Sequence, residues 1–307
     1  MHRILDQIQT RISHRLQTCH RLTCLTLLMP LSVLLAGCEV NTMTISTLSD
    51  SANKESSHST SSQVSSQSET TSQTPEEQKP TLTDFLRTAL RPKDQVLYVW
   101  GGGWNEEDTA GGVEANTLGM VPGWKTFYEE NVEGYNADDH DYEIHNGLDC
   151  SGYLGWVLYN TLEDKRDYVV KSDQSDEFLS GLGLGQRREA KEITEILPGD
   201  IMSEEGHVYI ALGQFEDGSI LMVHSSPPGV RMSGTEGIAY ETALLYQNNG
   251  WDPLADASFL DYDQFRFSEE ALPDPDHLRE MTTAEVVDFL YDDPSMTPSE
   301  SSSLSHE

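Results

Sequence analysis

Between Glu39 and Lys79 the chain is almost wholly Ser, Thr, Gln and Glu, with hardly an aromatic or large aliphatic side chain. Such a stretch buries too little apolar area to offset the entropy lost on ordering. It therefore confines folding to the residues beyond it. Of 307 residues, one compact domain of about 180 to 210 is expected, within residues 80–295. Residues 38–79 read as a disordered, solvated tether with a root-mean-square reach on the order of 35 Å. Residues 296–307 read as a disordered acidic tail. The formal net charge of −33 argues against nucleic acid as a partner.

Upstream, Arg3, Arg11, Arg15 and Arg21 precede an uncharged, Leu-rich run from Leu22 to Gly37. The run is too short for an ordinary transmembrane helix. It ends in Leu35-Ala36-Gly37-Cys38, which resembles a bacterial lipoprotein signal peptide. The resemblance implies that residues 1–37 are removed and Cys38 is acylated, leaving an extracytoplasmic protein held to the cell membrane by lipid. Cys19 and Cys24 leave with the signal, so Cys150 is the one thiol of the mature chain. No disulfide framework is possible. In an exported protein a free thiol is an oxidation liability, and its retention points to chemistry.

Asp149 and Ser151 are helix-capping types, and Cys150, Leu154, Val157 and Leu158 recur at helical spacing. This predicts a helix beginning at Cys150. Unpaired N–H groups and the positive end of the helix dipole there favour a thiolate, the nucleophilic form. The bland alternative is that Cys150 is a small core residue.

Leu82, Phe85, Leu86 and Leu90 share a helical face that Arg91-Pro92 closes. Residues 95–100 predict a strand, broken by a Gly101-Gly102-Gly103 turn. Without a following Lys-Ser/Thr pair those glycines are not a phosphate cradle. Residues 104–147 form an acidic insertion, expected to be a loop or small subdomain at the rim of a site. Within it Asp138, Asp139, His140, Asp141, Glu143 and His145 fit no familiar ligand spacing, so no metal and no other cofactor is expected. Residues 165–191 read as loop with a short helix. Pro198-Gly199-Asp200 then turns the chain into a strand at Ile201.

Residues 206–213 and 219–224 alternate as two strands of a hairpin. His207, Tyr209, Ala211 and His224 share a face for any even-length loop. A two-residue turn would leave the histidines about 13 Å apart along the strands. A four-residue loop, or a bulge, is expected instead, setting His224 opposite Tyr209 and diagonal to His207. Helices near 240–247 and 283–291, the latter capped by Thr282 or Thr283, and a strand at 263–267 complete the reading.

A thiol at a helix start and two histidines on neighbouring strands supply the parts of cysteine hydrolysis: a nucleophile, a base and an orienting group. The alternative is that the histidines are satisfied core or surface residues. The ordered set Tyr98-Val99-Trp100-Gly101-Gly102, Asp149-Cys150-Ser151-Gly152, Pro198-Gly199-Asp200, Gly206-His207-Val208 and Val223-His224-Ser225 resembles the NlpC/P60 family of cell-wall cysteine peptidases, over roughly residues 82–270. The resemblance implies an α+β, papain-like fold in which the helix carrying the cysteine packs on an antiparallel sheet. It also implies Cys150 as nucleophile, His207 as general base and then acid, and His224 as orienting group. Tyr98 would help stabilise the oxyanion. Asp149 and Ser151 would shape the substrate site, although capping accounts for them equally well. The implied substrate is a peptidoglycan stem peptide, cut between D-γ-glutamate and the diamino acid. Two alternatives stay open: an N-acetylmuramoyl-L-alanine amidase or acyltransferase of the same fold, and a catalytically silent surface lipoprotein that binds a partner or cation through its acidic insertion. Protein partners are not legible.

Overall fold

The structure, a computed structural model, describes residues 79–292 other than 107, 108 and 256. The expectations for residues 1–37, the acyl site Cys38, the tether up to residue 78 and the tail lie outside the described residues.

The described residues form an α+β fold around one six-stranded sheet, antiparallel throughout. Its strands are β1 (Gly185–Arg188), β2 (Ile201–Glu204), β3 (His207–Gln214), β4 (Ile220–Ser226), β5 (Gly229–Gly234) and β6 (Asp263–Phe267). Their spatial order is β1-β6-β2-β3-β4-β5. One face carries Ile201, Val208, Ile210, Leu212, Leu221, Val223, Met232 and Phe265, all part of the main core. The other carries Met202, Tyr209, Ala211, Ile220 and Met222, closed over by Ala255 and Tyr262.

The first three helices each add residues to the main core. α1 (Leu82–Leu90) opens with a reciprocal capping box between Thr81 and Asp84 and buries Leu82, Phe85, Leu86 and Ala89. α2 (Pro122–Asn131) lies within the insertion, where the sequence predicts only loop or subdomain, and buries Trp124 edge-on against Trp156, with ring centroids 6.0 Å apart. α3 (Cys150–Thr161) packs against α1, β3 and β4. Nearly every residue of α3 is buried, as expected of a helix apolar around its circumference. Gly152 is required by this packing, because a Cβ there would collide with the Gly102 carbonyl. α4 (Ser175–Gly181) and α5 (Gly237–Tyr246) follow, and α6 (Thr283–Tyr291) is capped by a Thr282–Glu285 box.

Three expectations need correction. Residues 91–95 form turns, and Leu97 and Tyr98 make only isolated bridges, to Gly229 and Leu148. The segment runs beside the start of the edge strand at Gly229–Gly234, with Asp94 N–H donating to the Val230 carbonyl, Val230 N–H to the Val96 carbonyl and Tyr98 N–H to the Pro228 carbonyl, but these bonds do not extend into a regular ladder. β1 sits inside the stretch expected to be loop and short helix. β5 is an edge strand with no counterpart in the sequence reading, although Val230-Arg231-Met232-Ser233 does alternate apolar and polar residues. The hairpin agrees with its expectation: a register shift between Ala211 and Gly213 marks a bulge, and residues 215–219 form the loop.

Candidate active site

The β3–β4 ladder stops at Ile210↔Val223, while β3 stays paired with β2 as far as His207 and β4 with β5 as far as Ser226. The N-terminus of α3 approaches this opening. The Leu148 carbonyl accepts from the Ser225 hydroxyl at 2.6 Å, and the Cys150 thiol lies 4.0 Å from the Gly206 carbonyl. The thiol thus sits beside the start of β3, next to the backbone of His207.

Asp149 caps α3: its Oδ1 accepts from the Gly152 N–H at 2.7 Å and from the Ser151 hydroxyl at 2.9 Å. Ser151 in turn accepts from Trp104 Nε1 at 3.0 Å. These bonds of Asp149 and Ser151 build the helix start, and Trp104 is a buried supporting residue that the sequence reading missed. The glycine turn is drawn tight around the same start, with the Gly102 carbonyl accepting from the Asp149 N–H at 3.0 Å.

Burial pushes the Cys150 thiol up to about 12, and the neighbouring Asp149 carboxylate adds to the rise; backbone N–H groups of Val208, Ser151 and Cys150 itself oppose it. This corrects the expectation of a thiolate at rest. The helix start is present, but desolvation of the anion and the capping carboxylate outweigh it.

The extrapolated register sets His224 opposite Tyr209 and diagonal to His207. His207 Nε2 meets His224 Nδ1 at 2.8 Å, and His224 Nε2 meets Ser233 Oγ at 2.9 Å. Ser233, fully buried on β5, is a third member that the sequence reading missed. His207 Nδ1 has no hydrogen bond among the described residues, and none joins the His207 ring to the thiol. For Nδ1 to act as a base, Nε2–H must donate to His224, whose own Nε2–H then donates to Ser233. Burial lowers His207 to about 4 and also lowers His224, and the nearby Arg231 charge acts on both in the same direction. At neutral pH the site therefore rests as a neutral thiol beside two neutral imidazoles.

Phe259 stacks on His207, with centroids 5.0 Å apart, and meets His224 edge-on at 6.0 Å. Tyr209 donates to the Phe259 carbonyl at 2.7 Å and holds that turn in place. Tyr98 is buried with its hydroxyl within electrostatic reach of Cys150; burial, then Cys150 and Asp149, raise its pKa, so it keeps its proton. The insertion braces it, as Tyr135 donates to the Tyr98 carbonyl at 2.7 Å.

Pro198-Gly199-Asp200 lies in a separate cluster. Buried Asp200 accepts from Leu197 N–H, Gln264 Nε2 and two nitrogens of Arg266, at 2.7 to 2.8 Å. His140 pairs with Glu143, and His145 with Glu114. Among the described residues no group of three or more His, Cys, Asp or Glu is arranged to hold a metal ion, and no helix is long and apolar enough to cross a membrane.

Compared with protein-family models, with curated proteins and with solved structures, the chain finds no match in any of the three. The geometry by itself shows a buried thiol at a helix start beside the backbone of His207, a His207 ring with one nitrogen lacking a hydrogen bond among the described residues, and a chain of hydrogen bonds from that ring to His224 and Ser233.

Proposed function

We propose that the protein is a lipid-anchored, extracytoplasmic cysteine peptidase of the NlpC/P60 kind, with a papain-like fold, that cuts peptidoglycan stem peptides between D-γ-glutamate and the diamino acid. The observation that carries this reading is the relay His207–His224–Ser233, whose open Nδ1 end belongs to the residue whose backbone the Cys150 thiol adjoins.

In this mechanism the thiol proton passes to His207 Nδ1 as sulfur attacks the scissile carbonyl. His224 and Ser233 hold the ring in the required tautomer. The oxyanion takes hydrogen bonds from the Tyr98 hydroxyl and the Cys150 N–H. His207 then gives the proton to the leaving amine, and water, activated by the same ring, resolves the thioester. Because both partners rest neutral, charge separates only during attack. An acylated Cys38 with the tether would hold the domain near its polymer.

The high thiol pKa and the lack of a Cys150–His207 hydrogen bond favour a second reading, a catalytically silent lipoprotein. Mass spectrometry of muropeptides incubated with the full chain and with its Cys150→Ser variant separates the two. Fragments split after D-glutamate in the wild type alone are expected. Cleavage at the lactyl amide would make it an amidase. No products, together with Cys150 alkylation no faster than that of a free thiol, would favour the silent reading.

A further inference from the structure

Arg231 is a cation in an unusual position. It stands on β5 directly opposite His224, one strand spacing of about 4.8 Å away, on the face that carries both histidines. It is only 9% exposed. Its Nη1 donates to the Asp252 carbonyl at 2.6 Å, while Nε is buried with no partner and Nη2 has no hydrogen bond among the described residues. Asp252 acts on it through charge but forms no ion pair with it. Arg266, on the same face, has its fork filled by Asp200. A guanidinium is shaped for a bidentate carboxylate, and the Nε–Nη2 edge of Arg231 is unfilled among the described residues while its charge acts on both histidines.

We infer that Arg231 is the subsite for a substrate carboxylate next to the scissile amide, and that it selects stem peptides whose D-glutamyl α-carboxylate is free over those in which it is a carboxamide. This rests on the proposed reaction. In a γ-glutamyl amide the α-carboxylate is separated from the scissile carbonyl by three carbons, an extended reach of roughly 5 Å.

The test is a matched pair of synthetic γ-D-glutamyl-diamino acid peptides, one with the α-carboxylate and one with the α-carboxamide, supplied to the full-length protein. Wild type is expected to prefer the acid by at least about tenfold in kcat/KM, the difference between a charged and a neutral partner for a buried cation. Arg231→Gln is expected to bring the ratio to within about twofold of unity. Arg231→Lys, which keeps the charge but loses the fork, is expected to hold an intermediate ratio, and it serves if the Gln variant does not fold. Equal use of both peptides by the wild type, or a parallel loss on both in the variants, overturns the inference and leaves Arg231 a structural or electrostatic residue. If neither peptide is cut, the reaction falls, and calorimetry on Cys150→Ser decides the subsite separately. Arg231-dependent binding of acid over amide upholds it, and equal or absent binding overturns it.

Discussion

Two buried polar clusters share one face of the sheet, and they are finished differently. Around Asp200 every contact is closed: N–H donors from Leu197, Gln264 and Arg266 surround a carboxylate that is fully buried. Burial raises its pKa, and the hydrogen bonds and charge of Arg266 with the Leu197 N–H work against that rise. The histidine relay is neutral and runs from Ser233 to an Nδ1 atom without a partner among the described residues. A closed network rigidifies the fold, whereas one with an open end has capacity left for a reacting atom. The difference teaches that a polar motif in the sequence is assigned by whether its last valence is filled.

The comparison breaks most sharply at His207. His207→Ala is expected to lower kcat/KM on stem peptides by about 10³-fold or more, measured per folded molecule, as for removal of a base acting within a catalytic unit. A loss under tenfold would remove His207 from the chemistry. Asp200→Ala should do the opposite. Leaving the Arg266 guanidinium half-buried without its carboxylate is expected to cost about 3–5 kcal/mol in denaturant unfolding, while activity per folded molecule stays close to wild type. A large activity loss in fully folded protein would merge the two clusters into one site.

pH sharpens the contrast. His207 is lowered in the folded state from 6.5 to about 4, so between those values the unfolded chain binds more protons than the native one. The stability tied to the neutral ring is fully present above about 6.5 and is lost as pH falls toward 4; His224 shifts in the same direction. Melting temperature should therefore fall across that window, and fall less in a His207→Gln/His224→Gln double variant. The ascending limb of the kcat/KM profile should lie near pH 4, the range to which His207 is lowered; a limb near 6.5 would mean that the ring is not held neutral by burial. The smallest effect is expected for Ser233→Ala, which leaves His224 Nε2 without its acceptor. About a tenfold loss in kcat and a stability cost of about 1 kcal/mol are expected, with KM little changed and partial rescue by Ser233→Thr.

Much of this was legible in one dimension, because local chemistry suffices for it. Thr282, one of the two caps expected for the last helix, does begin it, and the structure adds Glu285 to complete the box; the Thr81–Asp84 box of α1 was not read from the sequence. Parity along the hairpin put His207 and His224 on one face, since the side-chain period of a strand is two. The strand expected at 95–100 is reduced to isolated bridges because the segment leaves the edge of β5 after Tyr98, which pairs with Leu148 instead, and a run of strand formers does not show how far a partner extends. β5 was missed although its alternation was present, as four residues after a Pro-Pro-Gly turn make a weak signal.

The sequence by itself determined the candidate nucleophile, the two histidines and the helix start that carries Cys150, since each depends on residue type and short-range spacing. Only the tertiary structure decided that Ser233 ends the relay, that Arg231 stands opposite His224 with Nε unpartnered, that Asp200 sits in a closed structural cluster, and that burial raises the thiol pKa. Each of those depends on which groups are desolvated together and which donors reach them, and such quantities are set by contacts between strands far apart in the chain.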